Sequence, residues 1–144
     1  VNSLGIPGLY FQPEERRVYP YGNLASHLVG YVGVDNKGLA GVEKQMDTRL
    51  RDGVGNAQPL QLSIDVRLQA IMRGEIKKSM DHFQAIGATG VILDMKTGEL
   101  LSMVSLPDFD PHRPGKASDK AQFNRATLGV YEMGSTFKSF TMAM

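Results

Sequence analysis

The sequence contains no cysteine and no tryptophan, and it carries almost no net charge. Without cysteine, the chain can form no disulfide, no thiolate zinc site and no thiol nucleophile. Sixteen Lys and Arg residues against fifteen Asp and Glu residues leave a formal charge of +1. A nucleic-acid-binding domain needs a basic surface, so we expect no nucleic-acid partner.

Long hydrophobic runs are also missing. No apolar stretch approaches the ~20 residues that a membrane span needs, and no basic segment followed by an apolar one marks a signal peptide at the start. We therefore predict no membrane span within these 144 residues. Val1 is not an initiator residue and the sequence ends in the apolar run SFTMAM, so we expect a piece of a longer protein.

The composition is that of a folded domain, with 42% hydrophobic and 22% charged residues. Residues 1–58 are rich in Gly and Pro, which predicts turns between short elements, including a strand over 28–34 and a short helix over 41–51. The pattern changes to longer regular elements after Pro59. We therefore predict a domain boundary between residues 58 and 59.

The second part of the chain predicts an α+β arrangement. After a short strand over 60–64, Asp65 is a good helix cap, and the apolar residues that follow recur at offsets of three and four. Two β-rich runs at 89–95 and 99–106 are joined by Lys96-Thr97-Gly98 and predict a hairpin. We expect further helices over 119–127 and from about residue 135. The predicted apolar face of the first helix consists of Leu68, Ile71, Met72, Ile76, Met80 and Phe83.

Ser135 and Lys138 are the residues that could carry chemistry. At a spacing of three on a helix their side chains share a face, which suits a serine nucleophile and a lysine that takes its proton. The positive end of the helix dipole, with its unpaired N–H groups, favours an oxyanion at the same place. Gly134 allows a tight turn just before the serine. We predict Ser135 as nucleophile and Lys138 as general base.

The motif alone is weak evidence. Nine serines and eight lysines in a chain of this length give a Ser-x-x-Lys match by chance often enough to matter. A capping serine followed by a solvated lysine explains the same four residues without catalysis. The surrounding sequence has to decide between the two interpretations.

Residues 131–138 read YEMGSTFK, and this string resembles the active-serine segment of class B penicillin-binding proteins, the D,D-transpeptidases of peptidoglycan synthesis. Within that class the chain is most similar to the septal, cell-division enzyme. The resemblance covers nearly the whole sequence. The other strings that carry it, in order, are GIPGL at 5–9, RVYP at 17–20, ASHLVGYVG at 25–33, GLAGVE at 38–43, LSIDVRLQ at 62–69, TGE at 97–99 and FNRA at 123–126.

The resemblance implies a substrate, a fold and a location. In this family the serine is acylated by a peptidoglycan stem peptide ending in D-Ala-D-Ala, or by β-lactam antibiotics, and no cofactor or metal is implied. Residues 1–58 would be the end of a non-catalytic pedestal (dimerisation) domain, and residues 59–144 the start of the transpeptidase domain. The family also implies a membrane anchor before Val1, a location on the periplasmic side of the cytoplasmic membrane, and other cell-division membrane proteins as partners.

One tripeptide of the chain could be mistaken for a further element of a transpeptidase site. A transpeptidase site also uses a Lys-Thr-Gly strand, and the chain contains Lys96-Thr97-Gly98. We interpret this tripeptide as a hairpin turn, because the family's Lys-Thr-Gly and its Ser-x-Asn element both follow the serine. Only six residues follow Lys138. We therefore expect that these 144 residues alone are catalytically incomplete, with an exposed apolar helix at the end.

Two alternative functions remain open. A class D β-lactamase can share the Ser-Thr-Phe-Lys string, although a Gly- and Pro-rich pedestal does not fit that class. A non-catalytic interaction module, acting through residues 1–58, is the other.

Among the remaining polar residues, the resemblance implies that Arg17 ties the pedestal together, and His112 stands where the family predicts Asn. We expect structural or surface roles for His27, His82 and His112, and turn-forming roles for Asp108 and Asp110.

Overall fold

The computed structural model describes residue 14 and residues 16–52 and 59–144. The GIPGL string at 5–9 lies outside the described residues. The predicted domain boundary between residues 58 and 59 lies at the edge of a stretch that is also outside them. The helices are α1 (Ser26–Val29), α2 (Gly41–Gln45), α3 (Asp47–Asp52), α4 (Val66–His82), α5 (Asp119–Gln122) and α6 (Lys138–Ala143), and the strands are β1 (Ala88–Leu93) and β2 (Leu100–Leu106). Within the described ranges, 3₁₀ turns cover Gly22–Ala25, Pro114–Lys116 and Gly134–Phe137.

Helix α4 begins where its cap predicts. The Asp65 carboxylate accepts hydrogen bonds from the main-chain N–H of Arg67 at 2.8 Å and of Leu68 at 3.4 Å. These bonds satisfy two of the N–H groups that a helix start leaves unpaired. The hydrogen bond from the Arg67 side chain, followed by those from the main chain, lowers the pKa of Asp65 to about 2. The cap is therefore ionised over the whole neutral range.

The buried face of α4 differs from the predicted one. Leu68, Met72, Ile76 and Met80 are half-buried, as the periodicity predicts. Ile71 and Phe83, however, are exposed, and Phe83 lies just past the end of the helix. The most deeply buried residue of α4 is the polar Gln69.

The two strands form an antiparallel hairpin, which confirms that prediction with ends shifted by one or two residues. Ala88 pairs with Leu106, and the register slips by one residue between Ile92 and Leu93. Helix α4 packs against this sheet at Gly90, where a side chain would collide with Ile76 and contact Met72. Strand β2 is almost wholly buried from Ser102 onward, whereas Val91 and Leu93 of β1 are exposed.

Gln69 acts on the outer edge of β2 as a neighbouring strand would. Its Oε1 accepts the main-chain N–H of Met103 at 2.9 Å and the Ser102 hydroxyl at 2.7 Å. Its Nε2 donates to the carbonyl oxygen of Met103 at 2.7 Å and to that of Leu24 at 2.9 Å. The side chain is only 2% exposed. One amide therefore satisfies a buried strand edge and joins α4, β2 and the turn at Leu24.

Two predicted strands of the first 64 residues are wrong, and one predicted helix is confirmed with a break. The strand over 28–34 is absent, because Leu28 and Val29 belong to α1 and only Val32 makes a single bridge, to Gly38. The helix over 41–51 is divided into α2 and α3 at Met46. Residues 60–64 run without strand pairing. A β-rich segment becomes a strand only when a partner edge is available, and here the sheet consists of β1 and β2 in the described residues.

Two glycines allow α1 and α2 to approach closely. Gly30 has φ of 82° and Gly41 has φ of 58°, both in the left-handed region. A side chain on Gly30 would collide with the Ala40 carbonyl, and one on Gly41 would collide with the Leu28 carbonyl. Glycine is required at both positions for conformation and for space.

Residues 16–52 pack onto the second part of the chain through polar contacts. Asn23 Nδ2 donates to Asp108 Oδ1 at 3.0 Å, and Arg73 Nε of α4 lies 2.6 Å from Asp108 Oδ2. Asp108 is therefore a link between segments and not the turn former predicted for it. Within the first segment, Arg17 Nε lies 3.1 Å from the carboxylate of the buried Glu43, which confirms the tying role expected for Arg17.

Helix α4 is the longest helix of the described residues, and none of the helices there has both the length and the apolar character that a membrane span requires.

Replacing Gln69 by Ala should lower the free energy of unfolding by about 3 kcal/mol, because four buried polar groups lose their partner. Urea unfolding followed by circular dichroism measures this difference. Gln61→Ala is the matched control, since Gln61 is exposed and should change stability by less than about 0.5 kcal/mol. Equal midpoints for Gln69→Ala and the wild type would contradict the bracing role of this amide.

Candidate active site

Ser135 and Lys138 lie one turn apart where the final helical segment begins. Ser135 is in the 3₁₀ turn Gly134–Phe137, and Lys138 is the first residue of α6. The main-chain N–H of Lys138 donates to the carbonyl oxygens of Ser135 and Thr136. Residues three apart in a 3₁₀ turn stand one above the other, so this local structure places both side chains on one side of the chain.

The start of this segment differs from the expected α-helix. Gly134 adopts a left-handed φ of 52°, and the Thr136 N–H donates to the Met133 carbonyl oxygen at 3.1 Å. The α-helix itself begins only at Lys138. The Thr136 amide is therefore used inside the turn, and it is not the free oxyanion donor that the sequence predicts for the first turn of a helix. In a 3₁₀ turn each main-chain N–H bonds to the carbonyl oxygen three residues before it, which explains the difference.

The side chains of Ser135 and Lys138 are both exposed. Neither makes a hydrogen bond or ion pair to another residue in the described part of the chain. The structure thus brings the two residues to one turn without joining nucleophile and base directly.

A broad apolar surface surrounds the motif. Val130 is 96% exposed, and Phe137 and Phe140 are 64% and 65% exposed with ring centroids 5.5 Å apart. Met133 and Met142 are exposed as well. A surface of this kind is typical of a face that packs against further protein. The exposed apolar helix expected from the sequence is confirmed.

The segment leading to the motif is held by the first part of the chain. His27 Nε2 lies 2.7 Å from the carbonyl oxygen of Ala121 in α5, and a carbonyl can only accept, so Nε2 carries the proton. Tyr31 Oη donates to Gln122 Oε1 at 3.1 Å. Both rings stand edge-on to Phe109. Helix α5 ends at Gln122, five residues earlier than predicted.

The Lys96-Thr97-Gly98 tripeptide is the hairpin turn that the sequence predicts. Asp94 Oδ1 accepts the main-chain N–H groups of Lys96 at 2.7 Å and of Thr97 at 3.0 Å. Gly98 has a left-handed φ of 74°. All three residues serve the connection between β1 and β2.

The contacts that the structure describes for the histidines are structural ones. His112 accepts the Tyr19 main-chain N–H at Nε2, at 3.0 Å, and its Nδ1 lies 3.0 Å from Asp110 Oδ1. Asp110 also accepts the His112 main-chain N–H at 2.9 Å, which is the turn-forming role predicted for it. Across residues 14, 16–52 and 59–144 no three His, Asp or Glu side chains form a group that could hold a metal ion.

Comparison with known protein families matches two consecutive stretches of the chain. Residues 2–63 match the penicillin-binding protein dimerisation domain, and residues 88–144 match the penicillin-binding protein transpeptidase domain. The chain belongs to the penicillin-binding protein family. The resemblance inferred from its motifs is therefore confirmed.

Relatives and solved structures agree with this assignment. The chain is 48% identical over 99% of its length to a probable peptidoglycan D,D-transpeptidase FtsI of Caulobacter vibrioides, and 33% identical over 96% to the FtsI of Escherichia coli. It spans about a quarter of these relatives, 24% and 27% of their lengths. A crystal structure of penicillin-binding protein 3 from Mycobacterium tuberculosis, complexed with aztreonam, superimposes with a TM-score of 0.74 at 30% identity, covering 87% of this chain and 30% of that one.

This superposition confirms the partial α+β fold of the penicillin-binding proteins. The boundary between 58 and 59, and the roles of Ser135 and Lys138, stay predictions. Four residues make tertiary contacts that the sequence did not predict: Gln69, Asp108, Arg125 and Tyr131. Only the three-dimensional contacts reveal them, because each bonds to main-chain atoms or to residues distant in the sequence.

The partial burial of His27 should make stability depend on pH. Burial lowers the pKa of His27 below its ordinary value of 6.5, against the opposing effect of the Ala121 hydrogen bond. The unfolded chain therefore binds a proton as the pH falls through 6.5, whereas the folded chain binds it only at lower pH, and the folded state loses stability. His27→Gln should reduce the fall in the thermal unfolding midpoint between about pH 8 and pH 5.5.

His82→Gln is the matched control, because His82 is exposed at the end of α4. This variant should keep the pH dependence of the wild type. The same pH dependence in His27→Gln and the wild type would show that the half-buried ring does not resist protonation.

Proposed function

We propose that this chain is part of a peptidoglycan D,D-transpeptidase of cell division, with Ser135 as nucleophile and Lys138 as general base. One observation supports the proposal above all. Ser135 and Lys138 stand one turn apart, after a left-handed glycine, within the residues that match the transpeptidase domain. This is the local arrangement that a serine and lysine pair needs for proton transfer.

The reaction would proceed through an ester on Ser135. The Lys138 amine accepts the hydroxyl proton as Ser135 Oγ attacks the carbonyl carbon between the two terminal D-Ala residues of a stem peptide. The tetrahedral intermediate collapses, the peptide C–N bond breaks, and the proton passes to the departing D-Ala amine. The amine of a second stem peptide then attacks the ester, which forms the cross-link and returns the hydroxyl to Ser135.

A lysine amine accepts a proton only in its neutral form, which burial favours. Lys138 is exposed in the described structure, and the apolar surface beside it is uncovered. We therefore propose that further parts of the whole protein cover this surface, bury the amine and complete the cleft. The length of the relatives, about four times that of this chain, supports this arrangement.

The proposal extends to ligands, partners and location. A β-lactam would acylate Ser135 as a stem peptide does, with its opened ring still attached in place of the lost D-Ala. The neighbouring structure in complex with aztreonam supports this ligand class. We further propose action on the periplasmic side of the cytoplasmic membrane, together with other cell-division membrane proteins, as the family resemblance implies.

Fluorescent penicillin should label the whole protein that carries this sequence, and Ser135→Ala should abolish the label. Mass spectrometry of the labelled peptide identifies the acylated residue. Ser139→Ala is the matched control, since it removes an exposed hydroxyl one turn further along. Label that survives in Ser135→Ala would overturn the proposed nucleophile. Rapid hydrolysis of the penicillin, instead of a slow acyl-enzyme, would favour a β-lactamase.

Lys138→Ala should slow acylation by about 10²–10⁴-fold, the usual contribution of a general base. Labelling reactions quenched after different times, at several penicillin concentrations, measure the rate constant.

A polypeptide of these 144 residues alone should take up no label, because it lacks the Ser-x-Asn and Lys-Thr-Gly elements that the family places after the serine. Label on Ser135 of that polypeptide would contradict the incompleteness of its site.

A further inference from the structure

Strand β2 fixes the chain that runs toward the candidate nucleophile through the buried hydroxyl of Ser105. Its Oγ accepts the main-chain N–H of Arg125 at 2.9 Å and donates to the Phe123 carbonyl oxygen at 3.4 Å. Ser105 is 2% exposed and sits on the most buried strand of the molecule. A single side chain on a rigid element therefore fixes the main chain at residues 123–125.

The side chain of Arg125 extends this anchor to two further elements. Its Nη1 donates to the carbonyl oxygen of Lys120 in α5 at 2.9 Å and more weakly to that of Phe123 at 3.4 Å. The guanidinium group also lies against Gly87, just before β1, where any side chain would collide with it. Arg125 thus joins the end of α5 to the start of the hairpin. The planar, forked donor group of arginine suits such contacts to several carbonyls.

Tyr131 connects the last part of this segment back to Arg125. Its hydroxyl donates to the main-chain carbonyl oxygen of Arg125 at 3.2 Å, and its ring lies directly over Gly129. This bond brings residues 125 and 131 together, so that only Glu132 and Met133 separate the anchored tyrosine from the Gly134 turn. Tyr131 is 53% exposed. Burial therefore does not account for the inward direction of its hydroxyl.

We propose that Arg125 and Tyr131 are positioning residues that fix the approach of the chain to Ser135. The inference rests on the proposed acylation of Ser135. Neither side chain is assigned contact with substrate. They act on the main chain that carries the nucleophile, through the continuous path from Ser105 to Arg125, Tyr131 and the Gly134 turn. A displacement of a nucleophile by about 1 Å is enough to slow a reaction strongly, so this path should affect the acylation step.

Tyr131→Phe in the whole protein removes one hydroxyl and keeps the ring. We expect the first-order rate constant of acylation by a fluorescent penicillin to fall about fivefold, because the loosened segment no longer holds Ser135 in its reactive position. The dissociation constant of the non-covalent complex and the thermal unfolding midpoint should stay as in the wild type. A purely structural role would shift the midpoint and leave the rate constant unchanged, and that result would overturn the inference.

Tyr21→Phe is the matched control. Tyr21 is exposed in the first segment, and its hydroxyl makes no hydrogen bond among the described residues. Its acylation rate should equal that of the wild type. An equal loss of rate in both tyrosine variants would also overturn the inference, because the effect would then be independent of the anchor at Arg125.

Arg125→Ala tests the other half of the path. It should slow acylation as well, and Arg125→Lys should restore only part of the rate, since lysine lacks the forked donor group. Because both residues act on one segment, the double variant Arg125→Ala/Tyr131→Phe should lose less rate than the product of the two single losses. Multiplicative losses would show that the two residues act independently and contradict a single path.

The design separates this inference from the proposed function. If the wild type is not labelled at Ser135, the proposed function is wrong and the positioning role is overturned with it. If Ser135 is labelled in the wild type and Tyr131→Phe reacts at the same rate, only the positioning role is wrong.

Discussion

The side-chain amide of Gln69 is the contact on which the arrangement of this molecule depends. It pairs with both main-chain groups of Met103 at the outer edge of β2 and also holds the Leu24 carbonyl. A buried strand edge without such a partner would leave unsatisfied donors and acceptors. Helix α4, strand β2 and the first segment are therefore held in a fixed relation by one polar residue, supported by the contacts of Asp108 with Asn23 and Arg73.

The candidate site depends on this framework through a series of short contacts. Strand β2 presents Ser105 to the main chain at residues 123–125, while His27 and Tyr31 of the first segment hold α5 just before it. The chain then reaches the Gly134 turn and Ser135. The surface around the serine remains apolar and uncovered, in contrast to the hydrogen-bonded path that leads to it from the buried Ser105. The chain thus contains the proposed support of the candidate nucleophile, whereas the proposed covering of the site comes from further parts of the whole protein.

Elements decided by neighbouring residues were predictable from the sequence. The cap at Asp65, the hairpin with its Gly98 turn, and the left-handed Gly134 each depend on local hydrogen bonds or on the conformational freedom of glycine. The strand over 28–34 failed because a strand needs a partner edge, and the helix face failed at Ile71 because burial depends on what lies opposite. Arg125 and Tyr131 lie in strings that carry the family resemblance, but their contacts were not predictable, since both bond to main-chain carbonyls, which every residue possesses.

By itself, the sequence determined the family of the chain and the placing of Ser135 and Lys138 one turn apart. A spacing of three residues brings two side chains to one side of a helical turn, whether the turn is α or 3₁₀. The tertiary structure alone decided that a glutamine is the most buried residue of α4, that Asp108 joins two segments, and which apolar side chains stay exposed. Burial and long-range hydrogen bonds depend on elements distant in sequence, so they are settled only when those elements pack together.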